Sequence, residues 1–365
     1  MKKTKILLFT DSLGAGGAQR QLVGLARMLK QSGYDIYVVT YYNQDFYKSY
    51  LDEYNIRNYC LTNAKNHFKR IPILFSFFKK ISPDVVIAYQ ETPSLLASLI
   101  KFFGGRYKLI VSERNTTQVI GNNERVRFFL YSWADAIVSN SYSQTLFLTE
   151  RYERLRPKLK TIINFVDLKT YCTKPHELRK IPLITVAASI WPPKNTLGFL
   201  EACKILNDRG FQYELEWYGV VDSNNNYLKD CLDFIKSRRM TNVKLLPKTK
   251  QIVEKYQNTD FFCLPSFYEG TPNVICEAVA CGKPILCSNV CDNSKYVKDY
   301  FNGFLFEPND PQDIALKMQN ALSTNREEYT QMCVNSRKIA EENFEENRFL
   351  QEYLKIINDL EGYGK

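Results

Sequence analysis

Two carboxylates eight positions apart, Glu269 and Glu277, stand in a segment whose composition would set them on opposite sides of a phosphate-sized gap. The apolar run Phe261 to Leu264 reads as a buried strand, closed by Pro265 and Ser266. Gly270 and Thr271 supply a turn, Pro272 suits the first turn of a helix, and Asn273 and Val274 follow inside it. Val274, Ile275, Ala278 and Val279 give that helix an apolar face, and Gly282 and Pro284 stop it before a second buried strand, Ile285 to Cys287. Glu269 is therefore expected on the loop at a strand's C-terminal end and Glu277 within the next helix. Between them, the helix start presents unpaired N–H groups and the positive end of a dipole, which suits a phosphate. Such an arrangement would hold a nucleotide-sugar lengthwise: sugar hydroxyls at Glu269, diphosphate at the helix start, ribose at Glu277. Two solvated acids flanking an ordinary βα turn is the competing reading, and the pair alone leaves both open.

Two further loops carry candidate chemistry. Lys194 follows the apolar run Ile184 to Ala187, where a lysine can neutralise charge growing on a departing diphosphate. Lys248, after the run Val243 to Leu246, and Gly219, after Glu214 to Tyr218, join it as donor-binding candidates. Near the N-terminus, Gly14, Gly16 and Gly17 lie between a strand and a helix. A dinucleotide fingerprint would need a third glycine at position 19 and an acid ending the second strand, but Gln19 and Thr40 stand there. A glycine turn bringing backbone N–H groups close to an acceptor or a sugar phosphate, with Arg20 beside it, fits better; a merely tight turn would need the same glycines.

The elements that must position these groups alternate strand and helix through both halves of the chain, the pattern of parallel sheets covered on both faces. Residues 1–168 form one such half and 183–345 the other, with the polar, aperiodic stretch 169–182 as the linker and 346–365 as a closing helix. Ligands of open α/β sheets bind beyond the strands' C-terminal ends, so two such domains facing each other would place the site in a central cleft.

Composition bounds the class. At 365 residues, 45% hydrophobic and 24% charged, the chain has room for two cores. Asp11 interrupts the first apolar run too early for a secretion signal, and no stretch is long enough to span a bilayer. Cys276, Cys281, Cys287 and Cys291 lack the close pairing of a zinc site, so the ten cysteines read as reduced, buried apolar residues in a cytoplasmic protein, and no metal is expected. The two histidines, His67 and His176, lie in polar segments and do not suggest a hydrolase triad.

The net charge of +10 concentrates between Lys65 and Lys108, where Lys69, Arg70, Lys79, Lys80, Lys101 and Arg106 mingle with Phe68, Phe75, Phe77, Phe78, Phe102 and Phe103. Basic and aromatic residues together suit an anionic membrane surface. No RNA- or DNA-binding signature accompanies them, so nucleic acid is not an expected partner.

The segment from Glu269 to Glu277 resembles the signature of retaining glycosyltransferases of family four, enzymes of the α/β GT-B fold with two Rossmann-like domains. The glycine loop from Phe9 to Arg20, the run Ser112 to Asn115, Ile163 to Asp167, and Lys194 with Asn195 fall in the family's order. The resemblance implies a hexosyltransferase similar to those building bacterial capsule, O-antigen or exopolysaccharide. It would move a hexose or N-acetylhexosamine from a nucleotide diphosphate sugar to a saccharide acceptor, polyprenyl-linked, without a metal. It further implies that Glu269 and Lys194 serve catalysis and that Glu113 and Arg114, after the fourth strand, contact donor or acceptor. A salt bridge between the latter two is the alternative. The family's usual arginine five positions before the lysine is here Ser189, which removes one phosphate clamp. A peripheral enzyme on the inner membrane face is expected; a soluble enzyme with a small acceptor, or a non-catalytic sugar-nucleotide binder, are the rivals.

Overall fold

Short runs of β-branched and aromatic residues, each followed by an amphipathic helix, can pair only in parallel, because the helix carries the chain back to the sheet's starting edge. The computed structural model describes residues 3–62, 67–114, 116–117, 119–220 and 225–362. The contacts divide the chain into two units, Met1–Asn164 with Asn347–Lys365, and Phe165–Glu346.

The first unit holds β1 (Lys5–Phe9), β2 (Asp35–Thr40), β3 (Arg57–Cys60), β4 (Val85–Tyr89), β5 (Lys108–Glu113), β6 (Ala136–Ser139) and β7 (Leu159–Thr161). They pair in parallel in the order β3-β2-β1-β4-β5-β6-β7. The second unit holds β8 (Leu183–Ala187), β9 (Glu214–Val220), β10 (Val243–Pro247), β11 (Phe261–Leu264), β12 (Ile285–Ser288) and β13 (Gly303–Phe306), ordered β10-β9-β8-β11-β12-β13. In each sheet the order reverses once, between β1 and β4 and between β8 and β11. At such a switch point the two connecting loops diverge and leave a crevice at the strands' C-terminal ends.

Ten of these strands match the apolar runs in the sequence; β3, β7 and β13 do not stand out there. All three are edge strands. β3 carries Arg57 and Asn58 and is mostly exposed, while β7 is only three residues long. The closing helix, Glu346–Glu361, belongs with the first unit from Asn347 onward. It buries Phe349, Tyr353, Ile356 and Ile357, one helical stripe, and the Tyr353 hydroxyl lies 2.8 Å from that of Tyr89.

The stretch 169–182 contains no helix or strand, as a linker would, yet it is tied down along its length to the second unit. The fully buried Asp260 accepts hydrogen bonds from Arg179 Nη1 at 3.0 Å and from the Leu183 N–H at 2.7 Å, and pairs with His176 Nε2 at 2.8 Å. Burial alone would raise its carboxyl; the bonds from His176 and the backbone, with the Arg179 charge, leave it lowered. All ten cysteines are free thiols. Burial pushes Cys203, Cys231 and Cys281 each up to about 12, so these side chains act as apolar filling.

Lys283, just beyond the helix Asn273–Ala280, is 2% exposed, and burial lowers its ammonium from 10.5 to about 8. A base depressed by folding costs stability in full below its folded value, and the cost fades as pH climbs towards 10.5. At about 1.4 kcal/mol per decade, the cost is on the order of 3 kcal/mol. Lys283→Met is therefore expected to raise the denaturation midpoint at pH 7, with the gain shrinking between pH 8 and 10. Equal gains at pH 7 and 10 would show that the charge is not what costs stability.

Candidate functional site

In the second unit, both sides of the switch point carry the charged groups singled out in the sequence. After β8 the chain passes Ser189, which is exposed, and turns at Pro192–Lys194 into a single 3-10 turn. Asn195 then takes the left-handed conformation (φ 54°), and its side-chain amide donates to the Pro308 carbonyl at 2.7 Å, fixing the turn. After β11, Ser266 is buried and the Phe267 N–H donates to the Pro193 carbonyl at 2.9 Å, stitching the two loops together. This stitch brings Lys194 Nζ to 2.5 Å from Glu269 Oε1, with side-chain exposures of 28% and 12%. The two residues are 75 positions apart in sequence.

The helix after β11 begins at Asn273, with Pro272 one step earlier in extended conformation as its cap. Pro272 is thus outside the first turn where the sequence reading put it: its ψ of 114° is extended, and its carbonyl accepts the Ile275 and Cys276 N–H groups at 3.1 and 3.2 Å. Gly270 is half-buried and Thr271 buried; Asn273 and Val274, both half-buried, form the helix's first turn. Glu277 lies one turn into the helix and is 3% exposed.

Two further donor-site candidates lie in β9 and just after β10. Gly219 sits in β9, where a Cβ would lie 1.7 Å from the Ala188 carbonyl oxygen. Its lack of a side chain makes room for the chain leaving β8, which Trp217 Nε1 also grips by donating to the same oxygen at 2.7 Å. Gly219 therefore shapes the loop that carries Lys194. Lys248 is exposed just after β10, two strands from β8, roughly 10 Å across the sheet. Trp191, Phe267 and Tyr268, within three residues of Lys194 or Glu269 along the chain, are exposed. Their signal in the sequence was the placing of aromatic residues in otherwise polar loops.

In the first unit, Gly16 caps the helix Gly17–Gln31; Gly17 is exposed on its first turn and Arg20 half-buried. The structure gives Glu113 and Arg114 partners within the first unit. Their strand is the fifth, because β3 precedes it, and Glu113 is its last residue, 1% exposed. Its carboxylate accepts from the Tyr131 hydroxyl and lies 3.6 Å from the buried Arg127. Burial pushes the carboxyl up, and Arg127 and Tyr131 only partly restore it. Glu113 is an internal ion-pair member, with Arg127 rather than Arg114 as partner. Arg114 is 8% exposed, lies over the Tyr89 ring at 4.8 Å and donates to Asn164. Its neighbour Asn115 lies outside the described residues.

The basic and aromatic stretch divides. Lys65 and the side chain of Phe68 lie outside the described residues. Arg70 is fully buried against the rings of Tyr41 and Tyr42, and Phe78 is core. Lys101 is paired with Asp135. Lys79, Lys80, Phe102, Phe103, Arg106 and Lys108 remain exposed. They lie at the ends of the helices His67–Ile81 and Glu91–Phe102 and at the start of β5, on the edge where strands begin. Phe102 stacks edge-on against Trp133, and Trp133 against Phe129, extending the aromatic surface beyond the sequence segment. Among the described residues, no helix is long and apolar enough to cross a membrane, and no group of three His, Cys, Asp or Glu side chains is placed to hold a metal.

A family model described as "Glycosyl transferases group 1" matches residues 174–339, and one described as "Glycosyltransferase Family 4" matches residues 15–170. The chain belongs to the family-four glycosyltransferases. This glycosyltransferase is 24% identical over 369 residues to the Campylobacter jejuni enzyme named GalNAc-alpha-(1->4)-GalNAc-alpha-(1->3)-diNAcBac-PP-undecaprenol alpha-1,4-N-acetyl-D-galactosaminyltransferase, covering 98% of this chain and 99% of the relative. It is 24% identical to the UDP-Gal:alpha-D-GlcNAc-diphosphoundecaprenol alpha-1,3-galactosyltransferase of Escherichia coli, over 66% of this chain and 67% of that one. Among solved structures it is similar to Alr3699/HepE of Anabaena in complex with UDP, at a TM-score of 0.85 and 19% identity, covering 98% of this chain and 100% of that one. The fold of this glycosyltransferase is GT-B.

Proposed function

We propose that this glycosyltransferase moves a hexose or N-acetylhexosamine, with retention of anomeric configuration, from a nucleotide diphosphate sugar to a saccharide carried on a polyprenyl diphosphate. The observation that carries the reading is the Lys194–Glu269 pair at the second unit's switch point, beside the start of the helix that carries Glu277. A diphosphate entering there meets a lysine and backbone N–H groups, and the sugar's hydroxyls meet Glu269. Lys194 then neutralises charge developing on the leaving diphosphate, whose oxygen takes the proton of the acceptor hydroxyl arriving on the same face. No protein nucleophile and no metal enters this scheme. The names of the Campylobacter and Escherichia relatives, both transferases acting on undecaprenol-linked saccharides, support the acceptor class.

The exposed basic and aromatic edge of the first unit gives such an enzyme a peripheral hold on an anionic membrane. Each basic residue near a charged surface contributes on the order of 1 kcal/mol, screened over about 8 Å at physiological salt. The reading is tested by a thermal-shift panel of nucleotide sugars, then by transfer from the donor selected to polyprenyl-diphosphate-linked saccharides in vesicles. Turnover with release of the nucleoside diphosphate is expected. Binding without turnover on any acceptor would reduce the protein to a sugar-nucleotide binder. Co-sedimentation with anionic vesicles is expected to fall with salt and to be lost in the combined variant Lys79→Gln, Lys80→Gln, Phe102→Ser, Phe103→Ser. Equal sedimentation with neutral vesicles would leave the edge an ordinary solvated surface.

A further inference from the structure

The first unit has a switch point of its own, between β1 and β4, and its chemistry differs from that of the second. Where the second unit sets a lysine against a glutamate, here carboxamides converge on the end of β1. Asp11 Oδ1 accepts from the Ser12 N–H at 2.6 Å and from Gln19 Nε2 at 2.9 Å. The Ser12 hydroxyl donates to Gln44 Oε1 at 3.1 Å, and the buried Thr10 hydroxyl donates to Gln90 Oε1 at 2.8 Å. A Cβ on Gly14 would lie 2.4 Å from the Gln44 carboxamide oxygen, and one on Gly16 would lie 2.1 Å from that of Gln19. The glycines of this loop thus leave the space those carboxamides fill.

Gln90 is the unusual member. It follows β4 directly, with φ 73° and ψ 168°, a region that is sterically open only to glycine. Nothing about the turn itself demands a glutamine there. The strained backbone is pinned by its N–H to the Ser112 carbonyl at 3.2 Å, while its own carbonyl accepts the Ser94 N–H at 3.1 Å. Held this way, the half-buried Gln90 turns its carboxamide oxygen onto Thr10. Its amide nitrogen has no hydrogen-bond partner among the described residues.

We infer that Gln90, with Gln19, Gln44 and Asp11, forms a subsite for an uncharged sugar ring at the first unit's switch point, and that Gln90 is a specificity-determining residue for the acceptor saccharide. Carboxamides donate and accept at once, which matches sugar hydroxyls and N-acetyl groups. The one formal charge in this hydrogen-bonded set is the Asp11 carboxylate, which accepts from hydroxyls and repels phosphate. The strain at Gln90 is retained because relieving it would withdraw the carboxamide. The inference rests on the proposed transfer to a saccharide, and it names which end of the first unit reads that saccharide.

The test measures saccharide binding apart from turnover, on the full chain. Saturation-transfer NMR with the methyl glycosides of N-acetylgalactosamine, galactose and glucose is run on the parent, Gln90→Gly and Gln90→Ala. Gln90→Gly relieves the backbone and is expected to raise Tm, yet to weaken glycoside binding by about tenfold, the effect of losing one or two hydrogen bonds. Gln90→Ala keeps the strain and loses the carboxamide, so it should weaken binding equally with no gain in Tm. Both should leave the thermal shift by UDP unchanged and raise the acceptor KM more than they lower kcat. Unchanged glycoside binding in Gln90→Gly, or no glycoside signal from the parent, would overturn the subsite. So would competition of the glycosides by inorganic diphosphate, which would give this end of the unit to an anion at Arg114. A working subsite with no transfer on any acceptor would instead count against the proposed reaction alone.

Discussion

Glu269→Ala is expected to reduce glycosyl transfer by about 10²- to 10⁴-fold while holding or tightening the affinity for free nucleoside diphosphate. The opposing directions come from the ion pair. In the unliganded protein, Lys194 is neutralised by Glu269 at 2.5 Å. Removing the glutamate frees the lysine's charge for a diphosphate, but also removes the group that would receive the sugar's hydroxyls. Lys194→Ala should act oppositely on binding, because it leaves a partly buried carboxylate facing the incoming anion. It too should slow turnover, since its charge is most useful as the leaving group departs. Calorimetry with the nucleoside diphosphate selected by the thermal-shift panel reads both signs. If both variants move that affinity in the same direction, the pair does not sit at the phosphates.

For Glu277→Ala, nucleotide affinity should fall roughly 10- to 150-fold, the equivalent of about 1.5–3 kcal/mol for a charged hydrogen bond. Glu277 is 3% exposed and rides on the helix that begins at Asn273. Its place one turn into that helix is where a ribose would extend from a diphosphate held at the helix start. Because the side chain is buried, Glu277→Gln serves as the control: it keeps the volume and one acceptor, so it should lose less. A Tm for the unliganded variants equal to that of the parent, together with unchanged nucleotide affinity, would remove Glu277 from the donor site.

What the sequence revealed follows from what is local. A strand ending in Pro265 and a helix stopped by Gly282 are short-range patterns, so the loop holding Glu269 and the helix holding Glu277 could be drawn from residues alone. The Lys194–Glu269 pair could not, because it depends on β8 and β11 being neighbours, and no periodicity encodes strand order. The partner of Glu113 was hidden for the same reason: Arg127 arrives on the helix Asn122–Leu130, beside the carboxylate only once β5 is buried. Gln90 gave no signal at all. Its conformation is imposed by bonds to Ser112 and Ser94 from neighbouring elements, against the residue's own preference. Edge strand β3 was invisible because its outward residues answer to water rather than to a core.

The thiols have a practical consequence. Of ten cysteines, Cys203, Cys231, Cys263, Cys276, Cys281 and Cys287 are buried, and burial raises the thiols of Cys203, Cys231, Cys263, Cys281 and Cys287, keeping them protonated at neutral pH. Cys60, the last residue of the exposed edge strand β3, is the one exposed cysteine among the described residues. A thiol-directed dye added briefly to the unmodified protein will therefore react there first. The wild-type chain thus comes with its own attachment point for a fluorophore, on the outer rim of the first unit's sheet, away from the β1–β4 crevice by two strands.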